Sequence, residues 1–147
     1  MQKEYMKTIL GVSKKLLPID GPKKYWCTYL DYDNQPGDYL AIYITGKGIC
    51  QFFNIDFIDK ENNELNCNYR GMLTIRISHI FSVTNPISFK TMASDKVLKD
   101  MNVVKRRFQG TTFLIQPNYW NEIIEQIRKN NPNTDYDLNM LKYIKVS

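Results

Sequence analysis

The chain reads as an α+β domain, a small curved antiparallel sheet or β-barrel with short peripheral helices. Three observations predict this. Short β-prone runs recur between turn signals, at residues 25–30, 39–45, 49–59, 72–83 and 111–115. A helical period of apolar residues is clear only near the C-terminus. A length of 147 residues with 43% hydrophobic content suits one core, and closing a sheet into a barrel removes its exposed edges.

Residues 4–10 read as a short helix with Gly11 as its C-cap, and 11–24, with Pro18, Gly21 and Pro22, as a loop. After the aromatic run 25–30 comes the turn Asn34-Gln35-Pro36-Gly37-Asp38, where Pro presets one dihedral and Gly takes the positive φ that follows. Alternation over 39–45, the turn Gly46-Lys47-Gly48 and the run 49–59 predict a β-hairpin. Residues 59–68 are polar and predict an exposed loop. In the strand 72–83 the alternation shifts at His79-Ile80-Phe81, which predicts a bulge, and Asn85-Pro86 ends the strand. Ser94 fits the N-cap of a helix over 95–101. The last helix starts near Pro117, with Trp120, Ile123, Ile124 and Ile127 on one stripe, and Asn130-Asn131-Pro132-Asn133 stops it. Residues 1–130 are thus one domain and 131–147 a C-terminal tail, partly helical or mobile.

The net charge is +5 and the pI near 9.0, a basic excess suited to a polyanion. It concentrates in Lys14-Lys15, Lys23-Lys24 and Lys105-Arg106-Arg107, the candidate contacts to a nucleic-acid backbone. No apolar run approaches the roughly 18–20 residues that span a bilayer, and the N-terminus has no signal-peptide pattern, so a cytoplasmic protein with no membrane partner is expected. Cys27, Cys50 and Cys67 are odd in number and widely spaced, which predicts reduced thiols.

No pattern of catalysis stands out. His79 is the single histidine and reads as a structural residue in a strand. Gly46-Lys47-Gly48 lacks the spacing of a phosphate loop. No catalytic residue, metal site or cofactor is expected. Lys105-Arg106-Arg107 running into Phe108-Gln109-Gly110 points instead to binding: cations hold phosphates, an aromatic stacks a base, an amide reads its edge, and a glycine lets the backbone approach.

Over residues 8–129 the order of features resembles the EVE-type members of the PUA-like superfamily, relatives of the YTH readers. The likeness is carried by Gly11-Val12 with Lys14-Lys15, by Pro36-Gly37-Asp38 leading into 39–44, by 48–55, and by Phe89-Lys90 followed by Phe108-Gln109-Gly110, a strand and an amphipathic helix. The resemblance implies a small β-barrel that holds a flipped or single-stranded base of DNA or RNA, often a modified one, in an aromatic pocket. It also implies two settings: a stand-alone reader, or the targeting module of a McrB-type restriction system with an ATPase/nuclease partner. Two features depart from the pattern. Leu10 stands where many relatives have a cage tryptophan, and no opening strand with an aromatic pair is found upstream of residue 8. Tyr25 and Trp26 are the expected substitute wall, completing a base pocket with Phe108, Gln109 and Gly110. A protein-interaction module that kept the fold and lost the pocket is the alternative.

Overall fold

The computed structural model describes residues 7–19, 24–60, 67 and 71–132. Its strands are β1 (Thr8–Ser13), β2 (Lys24–Tyr29), β3 (Tyr39–Ile44), β4 (Gly48–Asp59), β5 (Met72–Ile87) and β6 (Thr112–Ile115). Its helices are α1 (Phe89–Ser94), α2 (Asn102–Lys105) and α3 (Pro117–Asn130). The six strands form one sheet in the order β2-β5-β4-β3-β1-β6, and β1 runs parallel to β3 while the other pairs are antiparallel. The sheet is therefore mixed rather than antiparallel. It curls into a half-barrel whose edge strands come within side-chain reach: the Thr112 hydroxyl on β6 donates to the Cys27 carbonyl on β2 at 2.7 Å.

Alternation, interrupted by the bulges of β4, sorts the strand residues onto two sides. Ile9, Leu40, Ile42, Ile44, Phe53, Ile55, Ile75 and Ile77 fill the inside of the curl. Leu10, Ala41, Tyr43, Ile49, Phe52 and Ile115 face the opposite way, under the helices. There Trp120, Ile123, Ile124 and Ile127 of α3 are completely buried, as their spacing predicts. Burial of such side chains contributes on the order of 2 kcal/mol each.

The hairpin over 39–58 forms as expected, closed by Gly46 (φ 85°) and Gly48 (φ 118°), both in the region that glycine tolerates. The predicted turn before it is tied down by Asp38. That fully buried carboxylate accepts from the backbone N–H groups of Lys7 and Gln35 and from the Asn34 amide. The predicted bulge also forms: pairing slips between Phe52 and Phe53, opposite Phe81 and His79.

Four expectations are overturned. Residues 8–13 are a strand, not the end of a helix, because their apolar residues alternate between the two buried sides. Gly11 is no C-cap; a Cβ there would lie 2.6 Å from the Trp26 indole, so glycine is what lets the ring cross β1. β5 does not end at Asn85-Pro86 but runs to Ile87. Its pairing with β4 skips from Ser82 to Ile87, so the N–H that Pro86 lacks is not needed, and the Asn131 side chain hydrogen-bonds the Asn85 backbone instead. The helix expected over 95–101 is displaced. Ser88 caps α1, and Asp95 follows it, its carboxylate accepting from Val97 and Leu98 N–H at the start of a 3₁₀ turn. Finally, Cys27 and Cys67 are joined in a disulfide, with Cα atoms 5.8 Å apart, and Cys50 is a buried free thiol. A separation of 40 residues hid a pair that the curl of the sheet brings together. Residues 4–6 of the helix expected over 4–10, and 133–147 of the tail expected over 131–147, lie outside the described residues.

Candidate nucleic-acid interface

The site is built around the bend that follows α2. Arg107 (φ 55°) and Phe108 (φ 57°) are consecutive non-glycine residues in the left-handed region. Each costs on the order of 1 kcal/mol. The bend is closed by hydrogen bonds from Phe108 N to Val103 O (2.8 Å) and from Arg107 N to Val104 O (2.9 Å), a common way to end a helix. The Phe108 side chain compensates for the strain. It is 5% exposed, stacks on Tyr43 with centroids 3.7 Å apart, and meets the Phe89 ring edge-on at 6.1 Å. Phe108 is therefore core, not the stacking residue of a pocket. Its role is to hold the bend, which turns Arg106, Gln109 and Gly110 outward.

Those three residues line one side of a cleft of about 350 Å³. Tyr29, Asp31 and Tyr32, from the end of β2 and the 3₁₀ turn after it, line another, with Asn102, Thr111, Thr112 and Phe113. The volume falls at the lower end of the range for small-ligand clefts, about 300–1,000 Å³. Tyr29 and Tyr32 meet edge-to-face at 5.2 Å. The Arg106 guanidinium lies 5.9 Å from the centroid of Phe113. Gly110 (φ 134°) passes so close to Phe113 that a Cβ would come within 2.7 Å of the ring. The Tyr32 hydroxyl donates to the Thr112 carbonyl at 3.2 Å, and burial pushes its phenol pKa up, so it stays a neutral donor. The Lys7 ammonium donates to the Tyr32 carbonyl at 2.7 Å. Together these interactions tie the tyrosine side of the cleft to β6 and to Lys7, the residue before β1.

Of the expected pocket residues, Gln109 and Gly110 are thus brought together, with Arg106 beside them. Tyr25 and Trp26 do not join them. Being adjacent in a strand, they project to opposite sides: Trp26 packs inside the curl, and Tyr25 lies opposite Arg76 on β5. The Trp26 indole N–H donates to the Thr112 hydroxyl at 2.9 Å, which makes it a strut behind the cleft rather than a wall. Lys105, Arg106 and Arg107 are all exposed, and Arg107 sits 6.0 Å from the Phe89 centroid, away from the cleft lining. Lys14 and Lys15 are exposed just after β1, Lys24 is half-buried at the start of β2, and Lys23 lies outside the described residues. The aromatic lining that sequence reasoning missed is Tyr29, Tyr32 and Phe113; its one visible signal was the Tyr29-Leu30-Asp31-Tyr32 run at a strand end. Leu10 is completely buried on the helix side, so it is a packing residue. His79 contacts Ser82 Oγ at 2.9 Å and the Phe53 ring edge-on.

A curled six-stranded mixed sheet with short flanking helices is the α+β PUA-like fold. Solved structures share it. Rpa0253 from Rhodopseudomonas palustris matches with a TM-score of 0.64 at 11% identity, over 88% of this chain and 96% of that one. Atu2648 from Agrobacterium tumefaciens matches at 0.61 and 12%, over 89% and 99%. The human THYN1 protein, solved in complex with 5-methylcytosine-containing DNA, matches at 0.59 and 12%, over 82% and 97%. At these identities the likeness is one of fold. No protein-family model matches the sequence, and neither does any curated protein sequence.

Proposed function

We propose that the chain is a non-catalytic nucleic-acid-binding domain that holds a flipped or single-stranded base in the Tyr29–Tyr32–Phe113 cleft, as a stand-alone reader or as the targeting module of a restriction system. The observation that carries this is the cleft itself, where aromatic faces, Gln109 and Asn102 amides and the Arg106 cation converge on one opening. Aromatic stacking is worth roughly 1–3 kcal/mol per base, enough to offset much of the few kcal/mol lost on unstacking. The basic triplet beside the cleft is where phosphates would be held. The shared fold with a protein solved on methylated DNA supports the same reading.

The test is a titration against single-stranded and duplex DNA and RNA, with and without 5-methylcytosine, at two salt concentrations. Binding should weaken with salt. Replacing Lys105, Arg106 and Arg107 by alanine should lower the slope of log K against log salt by about 0.7–0.9 for each phosphate no longer neutralised. An unchanged slope would leave the triplet as a solvated face. A second reading, a protein-interaction module, is favoured by Leu30 (57% exposed) and Phe57 (50%), which flank a separate hollow of about 280 Å³. It predicts no binding to any oligonucleotide by a folded protein.

A further inference from the structure

We infer that Asp31 makes the cleft selective, among pyrimidines, for those carrying an exocyclic amine, cytosine and its 5-methyl form, over the keto pyrimidines thymine and uracil. The inference rests on the proposed role of the cleft as a base pocket. Its starting point is which polar groups remain to meet a ligand. The Tyr32 hydroxyl already donates to the Thr112 carbonyl, and the Thr112 hydroxyl donates to Cys27 O while accepting from Trp26. What is left is the cation of Arg106, the amides of Asn102 and Gln109, the hydroxyls of Tyr29 and Thr111, which can donate or accept, and one carboxylate, Asp31.

An amide can turn to present either a donor or an acceptor, and Arg only donates. An ionised carboxylate only accepts. It is thus the one side chain in the lining that cannot adapt to a keto oxygen, which would leave two acceptors facing each other with no proton between them. The amine of cytosine gives the same carboxylate a charge-assisted hydrogen bond. The ring nitrogen and carbonyl of cytosine are acceptors, which the Arg106 and amide donors suit. Charge sharpens the point. On a face proposed to hold phosphates, an exposed carboxylate works against affinity for the backbone, so its place in the lining is accounted for by base selection. Asp31 is next to Tyr32 in the chain, and it and Arg106 line the same cleft.

The experiment uses single-stranded DNA nonamers in which one central base, flanked by abasic sites, is cytosine, uracil, 5-methylcytosine or thymine. The 5-methylcytosine and thymine pair is nearly isosteric, so shape cannot separate them. The full chain should prefer cytosine to uracil, and 5-methylcytosine to thymine, by about tenfold or more. Asp31→Asn, whose amide can donate to a keto oxygen, should bring each ratio to within about twofold, circular dichroism confirming that the variant is folded. Equal affinity in the unmodified protein, or an undiminished preference in Asp31→Asn, overturns the inference and leaves the base pocket standing. No binding to any of the four, nor to longer oligonucleotides, overturns the nucleic-acid reading and this inference with it.

Discussion

Replacing Phe108 by alanine separates a packing role from a binding role. The ring is 5% exposed and sandwiched between Tyr43, at 3.7 Å, and the edge-on Phe89. Truncating a buried phenylalanine costs about 3–5 kcal/mol in transfer energy and cavity formation. Alanine also gives no relief of the left-handed backbone at this position (φ 57°), so the strain stays while the packing that held it goes. With about 4 kcal/mol removed and a urea m-value of about 2 kcal/mol per M, the unfolding midpoint should fall by about 2 M. That is a large share of the roughly 5–15 kcal/mol a domain has in total. Phe108→Leu keeps most of the volume and loses the stack, so it should cost only about 1–2 kcal/mol. Urea unfolding followed by tryptophan fluorescence measures both. The reasoning is refuted if Phe108→Ala leaves the midpoint unchanged while weakening oligonucleotide binding, because the ring would then face the ligand.

Closing a 40-residue separation, the Cys27–Cys67 disulfide should contribute about 4 kcal/mol, so reduction should lower the thermal midpoint markedly. Without reductant one thiol per chain, Cys50, should react with Ellman's reagent, and only after denaturation, since Cys50 is buried and burial pushes its pKa up; three reactive thiols would exclude the bond. Gly11→Val should destabilise the fold by about 1–3 kcal/mol and alter the near-ultraviolet circular dichroism, because its side chain must displace the Trp26 indole; a neutral result would mean that the ring is free to move. At Asp95 burial opposes ionisation, but hydrogen bonds from Leu98 and Val97 N–H outweigh it and lower the carboxyl pKa. A depressed folded pKa stabilises fully above the unfolded value of about 3.9, and that stabilisation disappears as pH falls through the folded one. Asp95→Ala should therefore cost about 1 kcal/mol at neutral pH, as loss of a cap does, and less in acid, in paired urea melts; a gap that does not shrink in acid would contradict the sign.

Local chemistry was legible where it was also decisive. Pro36-Gly37-Asp38 and Gly46-Lys47-Gly48 fix their own dihedrals, and the isoleucine stripe of α3 has no other way to be buried. Thr8–Ser13 was illegible because its single glycine looks like a helix end. Only the ring of Trp26, distant in sequence, explains why a strand needs a glycine there. Ser94 lost its expected capping role to Ser88 because both precede apolar residues at helical spacing, and α1 packs with Met92 inward. At the site, the sequence placed cations, Gln109 and Gly110 together, since they are contiguous. It could not choose which aromatic lines the cleft. Phe108 and Phe113 look equivalent in a linear text, and two left-handed residues send the first into the core.

The position of the cleft follows from how the sheet closes. β2 and β6 are its two edges, and they are joined by side chains rather than by a backbone ladder: Trp26 to Thr112, Thr112 to Cys27 O, Tyr32 to Thr112 O. A seam closed this way leaves more room than two strands at ladder spacing would, and the Tyr29–Tyr32 and Arg106–Phe113 pairs border that room. It also leaves polar backbone near the surface, which a ligand can use. The borders are nonetheless tied to packed side chains. Phe108 anchors the basic side to the helix-facing core, and Trp26 anchors Thr112 to the interior of the curl. Groups fixed before a ligand arrives lose little freedom when it binds, so few interactions would suffice in a cleft of this size.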